Sequence, residues 1–261
     1  MSPPPIEHVL NGLHDRRPID VPVAVVVAHP DDETIGAGAS LHLFRHLMLV
    51  HVTDGAPRSL DDARAAGFEN AAEYAAARRR ELAAAMQVGD VHTDPPPFLP
   101  DLPVPDQAAT LHLATLVATL RGALRDVAVV LTHPYEGGHP DHDAVAFAVQ
   151  AAGRPRIEMA SYHATPEGGL RVGRFLDDEG LVVPLTSEER MRREAMLDCF
   201  ATQHRTLEAF RGARAERFRP APEYDFSRPP APRAYYDGFP WGMTSERWCA
   251  HATEALACAR S

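Results

Sequence analysis

The segment Val21-Pro-Val-Ala-Val-Val-Val-Ala28 constrains this chain more than any other, because it runs apolar at successive positions and ends abruptly in the polar string His29-Pro-Asp-Asp-Glu33. A strand without polar alternation must be covered on both faces, the condition of a central strand in a parallel sheet. Pro22 marks its start, and Pro30 prevents it from continuing as regular strand. The run is far shorter than the roughly 20 residues that span a bilayer. Its expected place is therefore a protein core.

The rest of the chain alternates in the same way. A small-residue helix is predicted over 34–46 and a second strand over 47–53, with Asp54-Gly55 as the turn signal. Ala-rich helices are predicted over 70–87 and 107–125, separated by a Pro-rich loop at 94–105 that suits neither helix nor central strand. A third buried strand reads 127–132, followed by a helix over 143–152 and a strand over 156–164. Stretches 169–176 and 180–185 read as a hairpin about Asp177-Asp178-Glu179. Thr186-Ser-Glu-Glu189 has capping-box spacing and opens a helix predicted to reach Phe210. From Phe218 to Pro240 the chain is rich in Pro, Arg and aromatics, as in an ordered but irregular arm, and a last helix is predicted over 244–259. This alternation predicts an α/β class: a mostly parallel sheet with helices on both faces. No repeat or low-complexity tract divides the chain, so 1–261 is expected to be one domain, with 218–261 its Pro-rich C-terminal arm and terminal helix.

Composition excludes several function classes. With 26 Lys+Arg against 36 Asp+Glu the net charge is -10, which repels a phosphate backbone, and no nucleic-acid partner is expected. Cys199, Cys249 and Cys258 form no C-x-x-C pair and leave an odd count, which argues against a disulfide framework or a thiolate zinc site and fits a reducing cytoplasm. The start MSPPPIEHVL has neither a basic n-region nor an apolar h-region, so neither export nor a membrane span is expected. What stands out is 14 histidines beside an acidic excess, since imidazole and carboxylate together are the ligands of hydrolytic metal sites.

These residues concentrate in two clusters. The first, His29-Pro-Asp-Asp-Glu33, follows the first buried strand; the second, His133-Pro-Tyr-Glu-Gly-Gly-His-Pro-Asp-His142, follows the third. In open α/β sheets the functional crevice lies outside the carboxyl ends of the strands, so both clusters are expected to face one crevice. A hydrolytic zinc site uses three His or Asp/Glu ligands and keeps an open position for water, whose pKa it lowers toward about 7. His29 with Asp32 supplies two ligands, and a histidine of the second cluster can complete the set. Asp31 and His139 are then available to take the water proton and to stabilise the oxyanion or protonate the leaving amine. Zinc is the first expectation, with Fe2+ or Co2+ able to occupy the same ligands.

Ala28-His-Pro-Asp-Asp-Glu33 together with His139-Pro-Asp-His142 resembles the paired signature of the PIG-L/LmbE-like N-acetylglucosaminyl deacetylases. Thr53-Asp-Gly55 and Arg78-x-x-Glu81 are also similar to the family pattern, and the resemblance weakens after Leu185. It implies a Rossmann-like fold and hydrolysis of the acetamide of an amino-sugar conjugate, a small acetylated amine. By the same resemblance His29, Asp32 and His142 bind zinc, Asp31 is the general base, His139 assists the tetrahedral intermediate, and Arg78 holds the sugar. Some members place a tyrosine two residues before the first histidine of the second motif; here that position is Gly137, and Tyr135 is the nearby substitute. Hydrolysis of another small amide or ester by the same centre, and a metal-binding module without turnover, are the competing functions.

Other candidates have simpler expectations. Glu33 reads as an acid complementing a helix N-terminus. Gly36-Ala-Gly38 lacks the third glycine of a dinucleotide loop, since Leu41 stands there. His42 and His46 have zinc-protease spacing, but Leu43 replaces the required glutamate, and packing or surface roles are expected. His133 suits either a ligand-supporting or a core position, and His163 a structural one. Asp106 suits a sugar hydroxyl or a helix N-cap, and Arg190, Arg192, Arg193 and Arg205 read as a solvated helix face.

Overall fold

The computed structural model describes residues 4–95, 99 and 101–258. In chain order its elements are α1 (Pro5–Asp15), β1 (Val23–Val27), α2 (Asp32–Ala37), β2 (Leu47–His51), β3 (Thr53–Pro57), α3 (Asp61–Ala65), α4 (Ala71–Val88), β4 (Val104–Asp106), α5 (Leu113–Ala123), β5 (Val129–Thr132) and α6 (Pro140–Ala152). There follow β6 (Arg156–Met159), β7 (Tyr162–Ala164), β8 (Leu170–Val172), β9 (Leu181–Pro184), α7 (Ser187–Asp198), α8 (His204–Leu207), β10 (Ala215–Pro220) and α9 (Ser245–Cys258).

Among the described residues a six-stranded sheet runs β2-β1-β5-β6-β10-β9. Its first four strands are parallel, and β10 is antiparallel to both β6 and β9. Strand period then sorts the apolar run of β1 onto two faces. Ala24 and Val26 pack with α5, α6 and α9 through Leu116, Phe147 and Trp248. Val23, Val25 and Val27 pack on the other side with α1, α2 and α7 through Leu13, Ile35 and Met196. The mostly parallel α/β arrangement expected from the sequence is therefore present, and both faces of β1 are covered.

β1 has β2 on one side and β5 on the other, so the strand order reverses between β1 and β5. A crevice opens at such a reversal outside the carboxyl ends of the strands. The two histidine clusters leave the sheet at this point.

Several boundaries differ from expectation. The helix over 34–46 stops at Ala37, because the chain turns through Ser40, whose hydroxyl donates to buried Glu216 at 2.5 Å. The 169–176 and 180–185 stretches do not form a hairpin with each other: β8 pairs with β7, and β9 pairs with β10. The helix from Thr186 ends at Asp198. The arm expected from Phe218 begins inside β10, and α1 and the β3–β4 ladder are additions to the sequence reading. Part of the 94–105 loop and the end of the last helix, Ala259, lie outside the described residues. No described helix is long and apolar enough to cross a membrane.

Candidate active site

The segment after β1 folds back on itself at once. Asp32 heads α2, and its Oδ2 accepts the backbone N–H of His29 at 2.7 Å while lying 3.1 Å from His29 Nδ1. The segment after β5 enters α6 through His139, whose Nδ1 caps the helix by accepting the Asp141 N–H at 3.2 Å. One turn further, His142 brings its Nε2 to 3.1 Å from Asp32 Oδ1.

That last pair carries the most information. His142 Nε2 is fully buried and has no hydrogen-bond partner among the described residues, although Asp32 is so close. A buried polar atom left unpaired requires an explanation. A cation placed between this nitrogen and the carboxylate supplies one, and His29, Asp32 and His142 each offer a ligand atom within 4.8 Å of the others. A mixed imidazole and carboxylate set suits zinc and related divalent ions.

Electrostatics prepares His142 and Asp32 for that role. Burial lowers His142 to about 4, and burial with neighbouring His29 lowers His139 to about 3, so both imidazoles are neutral near pH 7 and keep a lone pair. Burial opposes ionisation of Asp32, but His142, His133 and His29 outweigh it and hold the carboxyl well below its ordinary range. Burial would likewise lower His29, yet Asp106 and Asp32 carry it above its ordinary value.

Asp31 is held differently. Its backbone is at φ 150°, ψ -25°, a region costing a non-glycine residue of order 1–3 kcal/mol. Its carbonyl accepts the N–H groups of Thr34 and Ile35 at 2.9 Å, anchoring the start of α2. Arg78, buried on α4, donates to Asp31 Oδ2 at 3.0 Å and to the Pro30 carbonyl at 2.7 Å. Gly55 permits this approach: at φ 65°, a Cβ there would meet the Arg78 guanidinium carbon at 3.1 Å. Burial pushes the Asp31 carboxyl up to about 8 against the pull of Arg78. The strained, buried Asp31 therefore sits beside the candidate ligands without belonging to their set.

Asp106 is not an N-cap. It ends β4 with Oδ1 3.1 Å from His29 Nε2, on the opposite edge of the ring from Asp32. Asp141 ties the same loop to α6 by accepting the N–H groups of Gln107 at 2.6 Å and Ala109 at 3.0 Å. Although His29, Asp106, His139 and Asp141 also converge within 4.8 Å, the Asp141 oxygens already have these partners. His133 stacks on His142 with centroids 3.8 Å apart and accepts the Ala28 N–H at 3.1 Å, so it supports the site from beneath.

Other expected residues fall elsewhere. Tyr135 points into the core and donates to the Arg228 carbonyl, so it does not reach the cavity. Gly137, at φ 70°, instead receives the C-terminal arm, its carbonyl accepting the Tyr235 N–H at 2.7 Å. Glu33 is buried and bonds Thr34 and His51. His42 meets Arg192, His46 is exposed, and His163 holds the Ala164 carbonyl. Arg193 is not a solvated side chain: it is buried and binds the carbonyls of Phe210 and Ile35.

A cavity of about 420 Å3 opens over the cluster, with His29, Asp31, Asp32, Arg78, His139 and His142 at its polar end. Among the other lining residues is an aromatic group, Tyr162, Phe210, Tyr235, Phe239 and Trp241, beside polar and aliphatic side chains such as Gln107, Gln203 and Leu170. Phe239 and Trp241 stack with centroids 4.5 Å apart, and Trp241 lies 4.9 Å from the His139 ring. Tyr235 and Phe239 come from the aromatic-rich arm over 218–240, whereas Tyr162, Phe210 and Trp241 lie outside it and carried no signal of their own in the sequence.

The sequence model of the family described as PIG-L: GlcNAc-PI de-N-acetylase matches residues 24–153, which hold both histidine clusters. Similar solved structures include a triple mutant of a deacetylase of the teicoplanin biosynthetic pathway, at TM-score 0.60 and 18% identity over 78% of this chain and 99% of that one. A zinc-inhibited form of teicoplanin deacetylase aligns at TM-score 0.55 and 17% identity over the same shares. A deacetylase of the A40926 pseudoaglycone aligns at TM-score 0.53 and 19% identity, again over 78% and 99%. At these identities the structures establish a shared fold. No match was found among curated proteins.

Proposed function

Through residues 24–153 the chain belongs to the PIG-L family, and from that premise we propose that it is a zinc-dependent deacetylase, hydrolysing the N-acetyl group of an amino-sugar or sugar-like conjugate to release acetate. Family membership supports a deacetylase-type hydrolase. The observation that carries the reading is the buried, unpaired His142 Nε2 beside Asp32, with the unliganded carboxyl of Asp31 next to them.

On this reading His29, Asp32 and His142 hold the metal, zinc first and Fe2+ or Co2+ on the same donors. When bound, the metal polarises the acetyl carbonyl and acidifies a water. Arg78 fixes Asp31 Oδ2, so with the carboxyl ionised, as the charge of a bound cation would favour, Oδ1 is the oxygen that accepts the proton of the attacking water. His139 accepts a backbone N–H at Nδ1, which puts its own proton on Nε2 and makes it a neutral donor to the developing oxyanion. Collapse breaks the C–N bond, and the proton held by Asp31 goes to the leaving amine. Asp106, by accepting from His29 Nε2, orients the ring so that Nδ1 faces Asp32 and would be the nitrogen offered to a metal.

Trp241 and Phe239 support a sugar-like substrate, because a stacked aromatic surface suits the apolar face of a pyranose. The structural neighbours named for teicoplanin and A40926 pseudoaglycone deacetylation support a glycoside over a simple amide. Free Cys199 and Cys249 accord with a cytoplasmic setting, and the -10 charge disfavours nucleic acid. The packing of α9 against α5 and α6 supports one domain that includes the C-terminal arm. Acetate release by zinc-loaded protein across acetylated amino sugars, glycolipids and simple amides tests the reading. Turnover of a sugar acetamide at least tenfold above a simple amide is expected, and absence of release from every acetylated amine overturns it.

A further inference from the structure

Behind the catalytic cavity lies a second cleft of about 320 Å3, and the two share the side chains of Ile35 and Phe210 as a common wall. On a chain of net charge -10, this cleft is lined by Arg174, Arg193, Arg211, Arg214 and Arg217, with Glu216 as its acid. Glu216 is already committed, since it accepts the Ala39 N–H at 2.7 Å and the Ser40 hydroxyl at 2.5 Å. Arg174 is compensated by Asp178 at 3.0 Å, and Arg211 by Glu194 at 3.1 Å and Asp198 at 2.7 Å.

Three guanidiniums have no closely paired carboxylate among the described residues, although Glu216 and Glu194 offset part of the charge of Arg193. Arg193 is 2% exposed, donates to the Phe210 and Ile35 carbonyls at 3.0 and 2.9 Å, and comes no closer than 3.8 Å to Glu194. Its Nε is buried with no partner among the described residues. Arg217 donates to the Gly173 carbonyl at 2.7 Å, and exposed Arg214 forms no ion pair with a described residue. Guanidinium does not shed its proton to escape such a setting. A concave, arginine-lined space suits a compact oxyanion, whose geometry matches the guanidinium fork.

We propose that this cleft is a binding site for a phosphate-class dianion, free or as a phosphomonoester, held by Arg193, Arg214 and Arg217 one side chain away from the catalytic cavity. The site does not depend on the hydrolytic reading. The test is titration of the full chain by calorimetry at fixed ionic strength, with inorganic phosphate and, separately, glycerol 3-phosphate. Wild-type protein should bind one equivalent saturably. The exposed-side double variant Arg214→Ala/Arg217→Ala, with Arg193 left intact, should weaken binding at least tenfold, whereas the pair Arg190→Ala/Arg205→Ala, neither of which lines the cleft, should leave it within twofold. Phosphomonoester binding tighter than phosphate identifies a phosphorylated metabolite as the ligand, and equal binding identifies the free anion. Unchanged affinity in the Arg214/Arg217 variant, or an equal loss in the Arg190/Arg205 variant, overturns the site.

Discussion

Replacing Asp31 by Asn removes the proposed base and little else. The amide oxygen can still accept from Arg78 at the 3.0 Å position, and the backbone groups that pin the start of α2 belong to the main chain. The carboxylate neighbour of His142 is Asp32, which the substitution leaves in place. A positioned general base contributes about 10²- to 10⁴-fold, or roughly 3–5 kcal/mol at about 1.4 kcal/mol per decade. Asp31→Asn is therefore expected to bind one equivalent of Zn2+ with an affinity within about threefold of wild type, while kcat for acetate release falls by two to four decades. Metal titration and a saturating-substrate acetate assay on the same preparation separate the two quantities. A zinc-replete Asp31→Asn protein with kcat within threefold of wild type would refute the assignment of the base. Loss of zinc would show instead that Asp31 belongs to the ligand set.

Three further outcomes follow from the same geometry. Asp106→Ala should weaken zinc about 10- to 100-fold, because it frees the His29 ring that the carboxylate orients; isothermal titration reads this, and unchanged affinity contradicts it. Trp248 is fully buried and its indole donates to the Pro140 carbonyl at 3.0 Å, at the start of the helix carrying His142, so Trp248→Ala should cost about 3–5 kcal/mol in urea unfolding. Glu136, buried within the second cluster, is pushed from an ordinary value of 4.5 up to about 8, chiefly through burial, against the Leu176 N–H and Arg219. Its raised folded value means that the unfolded chain releases the proton first as pH rises. The stabilisation is complete below pH 4.5 and is lost as pH rises through about 8. Unfolding free energies across this window should fall by up to about 1.4 kcal/mol per pH unit more in wild type than in Glu136→Gln, and parallel curves for the two proteins contradict the shift.

The parts of the fold legible in the sequence are those whose burial is written in apolar residues. The β1, β2 and β5 strands and the α4 and α6 helices lie where the apolar runs and the Ala-rich stretches fall. β10 was hidden because it buries charge: Glu216 is satisfied by Ser40, and Arg219 by Glu158 at 2.7 Å, so its hydrophobic period is blank. Arg193 was misread for the same reason, since its partners are carbonyls distant in the chain. Convergence of His29, Asp32 and His142 could be anticipated because each cluster follows a buried strand, and the sheet order brings those strand ends together. Asp106 could be anticipated only as a residue for a sugar hydroxyl or a helix cap, and Trp241 not at all, because they reach the cavity from a short ladder strand and an irregular arm whose positions no local spacing encodes.

The central claim is that one divalent ion on His29, Asp32 and His142 makes this chain a deacetylase. The direct measurement is acetate release from an N-acetylated amino-sugar conjugate by protein stripped with chelator and then titrated with Zn2+, beside His142→Ala treated in the same way. The account predicts no release from stripped protein, recovery that is complete at one equivalent, and neither stoichiometric zinc binding nor recovery in His142→Ala. Undiminished acetate release from metal-free protein, or full recovery in His142→Ala, would contradict it.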